Sequence, residues 1–181
     1  MSNVNIFTII NNGGNNKVKK ALLVIDLQND YFPGGKFQLW NTEKTLENVI
    51  RAIEKANMKG IPVIHIQHIA GPTAPFFNEG TEGADIHPEV LKVSPDGNIV
   101  IKNYADAFYE TKLEDILSEL GIEELLLCGM MTQNCVNHTA ISKSAEKYKV
   151  KILPDCCTTV NEAIHMIALD AVSTRIEFEN F

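Results

Sequence analysis

Short apolar runs alternate with amphipathic segments along most of this chain, and that alternation constrains the fold more than any other feature. The first run, 21–25, is continuously apolar (Ala-Leu-Leu-Val-Ile), which is typical of a strand buried on both faces. Because helical patterns separate successive apolar runs, the chain is expected to form βαβ units, giving an α/β fold with a mainly parallel sheet and helices on both faces. The predicted strands are 21–25, 61–66, 98–102, 125–128, 150–153 and a short last one near 175–178.

Three helices have boundary signals in the sequence. Residues 42–58 carry an apolar stripe at helical spacing, and Gly60 follows as a stop signal. Thr111 and Glu114 match a capping box at the start of a second helix. Asn161 is placed to cap the last helix.

Composition places the chain among globular proteins and excludes some partners. With 181 residues, 45% hydrophobic and 22% charged, we predict a single domain over 19–181, preceded by a tail or edge strand at 1–18. A net charge of −7 argues against nucleic acid and anionic membranes as partners and favours a small-molecule substrate. No apolar run approaches the roughly 20 residues of a membrane span, and no signal peptide is evident, so the expected compartment is the cytoplasm.

Residues 70–98, rich in Gly, Pro and acidic side chains, are predicted to form a long functional loop.

Cys135 is the strongest candidate nucleophile. It follows the apolar run that ends at Gly129, and Thr132 is placed to cap a helix that runs to about Tyr148. A thiol in a first helical turn lies near the positive end of the helix dipole and near unpaired N–H groups, which favour thiolate and suit an oxyanion. The other three cysteines, Cys128, Cys156 and Cys157, are interpreted as reduced structural residues.

Two further polar residues are expected beside Cys135. Asp26 and Lys102 each lie at or just past the end of a predicted strand, and ligands of parallel α/β sheets bind at the carboxyl ends of the strands. Asp26 is suited to take the thiol proton, Lys102 to orient Asp26 and to stabilise both anions, and the N–H groups around Met131 and Cys135 to hold an oxyanion. The trio predicts acyl transfer without histidine.

Three motifs in the same order give the chain a resemblance to the isochorismatase-like cysteine hydrolase superfamily, which includes nicotinamidases, N-carbamoylsarcosine and ureidoacrylate amidohydrolases and isochorismatases. The resemblance covers about 20–175. The motifs are 26–32 (Asp-Leu-Gln-Asn-Asp-Tyr-Phe) followed by Pro-Gly-Gly, Lys102 with 103–108 and Thr111, and 129–136 continuing to Thr139-Ala140.

The resemblance implies a three-layer Rossmann-like fold with about six strands, and a cis peptide bond that we place at Met130–Met131. It also implies a mechanism without a cofactor. Asp26 deprotonates Cys135, the thiolate attacks a carbonyl whose oxyanion is held by the N–H groups of Met131 and Cys135, and Asp26 protonates the leaving amine before water cleaves the thioester. Family members are usually dimers or tetramers, so a homodimer or homotetramer is expected.

The substrate pocket is predicted from residues next to the three motifs. Phe108 is a further candidate for its wall, and the Phe76-Phe77 pair is placed to cap a neighbouring site. The predicted pocket residues are Gln28, Phe32, His68, Tyr104 and Met130.

A metal site is not expected. Nicotinamidases, which the chain resembles, carry an Asp-x-His arrangement after the second strand, whereas this chain has His65-Ile66-Gln67-His68 there. Two histidines without a carboxylate make a weak metal site. No function is predicted for His87, His138 and His165.

The leading interpretation is a cysteine hydrolase of small amide or ureido C–N bonds, and three alternatives stay open. A vinyl-ether hydrolase of the isochorismatase type would need a cationic pocket, and the only arginines are Arg51 and Arg175. A non-catalytic relative would have no chemical reason to keep Asp26, Lys102 and Cys135 together. A redox sensor would need a resolving thiol near Cys135, and Cys128 is expected to be buried in the sheet.

Overall fold

A parallel sheet forms the centre of the computed structural model, which describes residues 18–181. Six strands lie in the order β3-β2-β1-β4-β5-β6, and all five neighbouring pairs are parallel. The α/β fold predicted from the alternating pattern is therefore confirmed. The strands are β1 (Lys20–Ile25), β2 (Val63–His68), β3 (Asn98–Lys102), β4 (Glu124–Met130), β5 (Lys149–Thr158) and β6 (Glu177–Phe178).

The strand order places a reversal point at the middle of the sheet. From β1 the chain moves outward through β2 to β3, then returns to β4 on the other side of β1 and continues outward to β6. Residues 21–25 of β1 are at most 1% exposed, as expected for a central strand that is covered on both faces. The carboxyl ends of β1 and β4 diverge from this point into separate connections, which opens a crevice there.

Five α-helices connect the strands. The first coincides with the predicted helix and buries Val49, Ala52, Ile53 and Ala56, which recur at helical spacing. The last is capped as predicted, because Asn161 Oδ1 accepts a hydrogen bond of 2.9 Å from Ile164 N–H. The helices are α1 (Thr42–Met58), α2 (Pro88–Val93), α3 (Leu113–Glu119), α4 (Asn137–Ala140) and α5 (Glu162–Val172).

The capping box predicted for α3 is wrong in detail. Thr111 Oγ1 accepts a hydrogen bond from Leu113 N–H, so the threonine does serve the start of the helix. Glu114 instead pairs with Lys147 in the segment before β5. A tertiary ion pair has replaced the local contact that the sequence pattern predicts.

The predicted long loop is also more ordered than expected, since α2 and a 3-10 turn at Glu82–Ala84 lie within 70–98. Asp30 fastens the loop to the sheet edge, because its carboxylate accepts hydrogen bonds from Phe77 N–H at 2.7 Å and from Lys36 N–H at 3.1 Å. The loop is therefore held against the carboxyl ends of the strands.

The predicted tail or edge strand at 1–18 lies, except for Val18, outside the described residues. Between residues 18 and 181, no helix combines the length and the apolar character needed to cross a membrane.

Candidate active site

The three residues predicted as catalytic lie together at the carboxyl edge of the sheet. Asp26 directly follows β1, Lys102 is the last residue of β3, and Cys135 follows β4. None of the three residues is more than 2% exposed. Asp26 has a φ of 52°, in the left-handed region that aspartate tolerates better than most residues.

The Lys102 ammonium is the centre of the site. Its Nζ lies 2.9 Å from Asp26 Oδ2 and 3.2 Å from Cys135 Sγ. It also lies 3.0 Å from His68 Nδ1 and donates a hydrogen bond of 3.1 Å to the Tyr104 carbonyl. One cation therefore bridges the carboxylate and the thiol, as the proposed orienting role requires.

Burial alone would lower the pKa of Lys102, but the charge of Asp26 and the contacts with Asp26 and Cys135 outweigh it and raise that pKa. The ammonium form is thus the stable one in the folded protein. Burial of the ring, and then the nearby Lys102 cation, lowers the pKa of His68, so His68 is neutral and its Nδ1 accepts from Lys102.

The prediction that the helix start favours the thiolate form of Cys135 is wrong for the resting protein. Burial raises the pKa of Cys135, the Asp26 carboxylate raises it further, and Lys102 offsets only part of the rise. Because the thiol is desolvated, the positive end of the helix dipole does not determine its ionisation. Asp26 Oδ1 is buried and has no hydrogen-bond donor of normal geometry among residues 18–181, which leaves it available to take the thiol proton.

The predicted helix from Thr132 to about Tyr148 is broken into short pieces. A π-helical turn at Thr132–Val136 carries Cys135, α4 follows, and a 3-10 segment spans Lys143–Lys147. The peptide bond between Met130 and Met131 is cis. Gly129 has a φ of 124°, and a Cβ there would lie 2.0 Å from the Ile25 carbonyl oxygen, so this turn passes close against β1.

Thr132 is not the helix cap that was predicted. Its hydroxyl donates to the Thr158 carbonyl at 3.1 Å and lies 2.9 Å from His165 Nδ1, so the His165 ring N–H is the donor of the second bond. This bond ties the turn that carries Cys135 to α5. No function was predicted for His165, and no local signal marks it, because the contact joins residues 33 positions apart.

Two of the predicted pocket residues, Gln28 and Phe32, are buried and make contacts within the protein. Gln28 is fully buried, donates from Nε2 to the carbonyls of His68 and Ala84, and accepts from His68 N–H. Its amide is committed to the backbone, so Gln28 positions His68 rather than substrate. Phe32 is buried with its ring 4.4 Å from the His87 ring.

The aromatic side of the site comes from other residues. Tyr31 is buried, and burial followed by the charges of Asp26 and Cys135 raises its pKa. Its ring lies 4.5 Å from the Phe77 ring, which lies 6.0 Å from the His68 ring. The Phe76-Phe77 pair, predicted to cap a neighbouring site, thus packs beside the site of its own chain. Tyr31 belongs to the first motif, and only its position there could have indicated this role.

The remaining predicted pocket residues differ in exposure. Met130 is fully buried, Phe108 is 7% exposed and Tyr104 is 49% exposed. The Tyr104 ring packs edge-on against Tyr109 at 4.9 Å, while its carbonyl contacts Lys102. Tyr104 therefore joins the site to an aromatic surface outside it.

The two histidines of β2 do not face a common ligand position. His65 is buried against Gly97, and His68, three residues along the strand, faces the opposite side. Gln67 donates to the Ala84 carbonyl. Among residues 18–181, the only group of three candidate ligands is Asp26, His68 and Cys135.

Comparison with known proteins identifies the family. Residues 20–177 match the family model of the isochorismatase domain. The chain belongs to the isochorismatase family. It is 40% identical over 140 residues to the uncharacterized isochorismatase family protein YddQ of Bacillus subtilis (strain 168), with 77% of each chain covered. It is 27% identical over 179 residues to the nicotinamidase of Escherichia coli (strain K12), covering 78% of this chain and 84% of that one.

Solved structures of the isochorismatase family share the fold. The crystal structure of a putative isochorismatase hydrolase from Oleispira antarctica superposes with a TM-score of 0.81 at 32% identity, covering 90% of this chain and 93% of that one. The resemblance inferred from the three motifs is therefore confirmed at the level of family and fold.

Proposed function

We propose that this protein hydrolyses a small amide or ureido C–N bond through a thioester on Cys135. The observation that carries the proposal is the Lys102 ammonium, which contacts both Asp26 Oδ2 at 2.9 Å and Cys135 Sγ at 3.2 Å in a buried site. An Asp26–Lys102 ion pair that only stabilised the fold would not require the Cys135 thiol in contact with the same ammonium. A nucleophile, a base and a cation within contact of each other are the components of covalent acyl transfer.

The first step moves a proton from Cys135 to Asp26 as the sulfur attacks the substrate carbonyl. The negative charge then moves from the carboxylate to the sulfur, and Lys102 lies near 3 Å from both. Because the ammonium attracts the charge comparably in either place, the transfer loses little Coulomb energy. This explains how a thiol whose resting pKa is raised can still serve as the nucleophile.

In the following steps, the N–H groups of Met131 and Cys135 hold the oxyanion of the tetrahedral intermediate. When the C–N bond breaks, Asp26 returns the proton to the departing nitrogen, leaving a thioester on Cys135. Water attacks that thioester with Asp26 again as base, and a carboxylic or carbamic acid leaves. Every proton passes through Asp26, so no metal-bound water is needed.

C–N cleavage is favoured over vinyl-ether cleavage by the chemistry of the site. Vinyl-ether hydrolysis needs no thiol nucleophile. In addition, neither arginine is placed to bind a carboxylate of an isochorismate-like substrate, because Arg51 contacts Asn48 and Arg175 pairs with Glu146 on the surface. The similarity to a protein named nicotinamidase supports an amide substrate.

The enclosure of the site supports a small substrate. The three catalytic side chains are buried, and the aromatic loop at 76–77 packs beside them, so entry requires this loop to move or a narrow approach past the partly buried His68.

We also propose a homodimer or homotetramer, supported by Tyr104 and Tyr109, which are 49% and 53% exposed beside the site. Light scattering after gel filtration tests this assembly.

The experiment is an assay of ammonia and acid release from a panel of small carboxamides and ureido acids, together with an assay of carbonyl-product release from one vinyl ether. Wild type is compared with Cys135→Ala and with Cys128→Ala, a matched change at a buried core cysteine whose thiol donates a hydrogen bond to the Leu23 carbonyl. We expect turnover of an amide or ureido compound by wild type and Cys128→Ala but not by Cys135→Ala. Cleavage of the vinyl ether by Cys135→Ala would overturn the proposal, and no turnover of any compound would favour a non-catalytic relative.

A further inference from the structure

The Lys102 ammonium occupies a position that resembles the centre of a metal site. Three ligand-type atoms surround its Nζ: Asp26 Oδ2 at 2.9 Å, His68 Nδ1 at 3.0 Å and Cys135 Sγ at 3.2 Å. The proposed chemistry uses the contacts to Asp26 and Cys135. That chemistry does not explain why the ring nitrogen of His68 is the third group in contact with the ammonium.

These three ligands lie close enough together to share one ion. One atom from each of Asp26, His68 and Cys135 falls within 4.8 Å of the other two. Tetrahedral zinc with bonds of about 2.0–2.3 Å brings its ligand atoms to within about 3.3–3.8 Å of one another. A shortening of the ligand-to-ligand distances by at most about 1.0–1.5 Å would therefore convert the ammonium cage into a coordination sphere.

From this arrangement we infer that Asp26, His68 and Cys135 form a binding site for a soft or borderline divalent cation such as Zn²⁺ or Co²⁺, which the tethered ammonium of Lys102 excludes from the wild-type protein. One carboxylate, one imidazole and one thiolate are an ordinary zinc donor set, and three protein ligands leave a fourth position for water. The inference concerns cation binding, so it holds whichever bond the protein hydrolyses.

The proton balance of metal entry is simple. The Cys135 S–H bond breaks, its proton goes to solvent, and the sulfur forms a bond to the metal. His68 is already unprotonated at Nδ1, the nitrogen that faces Lys102, and Asp26 is already paired with a cation. Removing the lysine side chain supplies both the space and the uncompensated negative charge that a divalent cation requires.

The test is a titration of wild type and Lys102→Ala with Co²⁺, followed by the thiolate-to-cobalt charge-transfer absorption and by equilibrium dialysis. We expect one bound Co²⁺ with charge-transfer absorption in Lys102→Ala and no such absorption in wild type. Adding Cys135→Ser to Lys102→Ala should abolish the absorption, and adding His68→Ala should weaken binding by at least about tenfold. His138→Ala is the matched control, because His138 is exposed and bonds only the Asn134 carbonyl.

Each result of the Co²⁺ titration either supports or refutes the inferred metal site. Charge-transfer absorption in wild type as strong as in Lys102→Ala would refute exclusion by the ammonium, and no bound Co²⁺ in Lys102→Ala would refute the ligand set. If Lys102→Ala is unfolded alone, refolding with Co²⁺ is expected to restore native circular dichroism, because metal binding to a folded site stabilises it. Failure to fold with and without Co²⁺ would also count against the site.

Discussion

Replacing Lys102 with methionine removes the ammonium beside Asp26 and keeps a side chain of similar length. Both partners are at most 1% exposed and lie 2.9 Å apart. Removing one partner of a buried pair leaves the other charge without compensation, which typically costs about 3–5 kcal/mol. Asp26→Asn strands the ammonium in the same way, and asparagine tolerates the positive φ at this position.

The double variant Asp26→Asn/Lys102→Met removes both charges of this pair, so neither is left buried without its partner. Its expected cost in unfolding free energy is that of one buried amide whose hydrogen bonds are not all made, about 1–3 kcal/mol. The costs of the two single variants, in contrast, would add to about 6–10 kcal/mol. The two sites are therefore predicted to be coupled by about 3 kcal/mol or more. For a chain of this size, each single variant should lower Tm by about 6–20 °C, since 1 kcal/mol corresponds to about 2–4 °C.

Urea unfolding followed by circular dichroism and tryptophan fluorescence measures the four free energies, and coincident transitions establish that unfolding is two-state. Lys44→Met serves as a matched control, because Lys44 pairs with Glu47 on the surface with both side chains more than half exposed, and its midpoint should not change. If the double variant loses as much stability as the two single variants together, Asp26 and Lys102 do not form a buried ion pair.

Three other predictions follow from the nucleophile turn. Burial and the Asp26 carboxylate raise the pKa of Cys135, so the thiolate fraction should grow as pH rises, and iodoacetamide labelling of the Cys135 peptide should keep accelerating above neutrality; a plateau near pH 7 would indicate a low-pKa thiol instead. Thr132→Val removes the bond from His165 and is expected to cost about 1–3 kcal/mol in urea unfolding, whereas Thr132→Ser should stay near wild type, and equal losses would show that the hydroxyl is not responsible. Gly129→Ala places a Cβ 2.0 Å from a backbone oxygen of β1 and should cost about 3 kcal/mol or more; Gly71→Ala, with open space around it, is the control, and similar stability of the two variants would contradict the close approach.

The positions of the three catalytic candidates could be predicted because topology determines them. Asp26, Lys102 and Cys135 lie 76 and 33 residues apart in sequence, yet each follows or ends a parallel strand, and such strand ends share one edge. Helix α1 and strand β3 were predicted with their observed bounds because their apolar spacing is regular.

Tertiary contacts account for what the sequence could not predict. The pKa of Cys135 is raised by burial, which no local pattern reports, and this overrides the dipole argument. The sequence gives no sign that the Gln28 amide is hydrogen-bonded, but in the fold it donates to the His68 carbonyl and accepts from the His68 N–H. The bond between Thr132 and His165 depends on how α5 packs against the turn.

The most direct measurement is rapid-quench intact mass spectrometry of wild type during turnover of a substrate from the amide and ureido panel, followed by peptide mapping. We expect an acyl adduct on Cys135 that forms faster than acid is released and that disappears as substrate is exhausted. Turnover with no adduct, in a protein whose Cys135→Ala variant keeps its activity, would contradict covalent catalysis by this thiol.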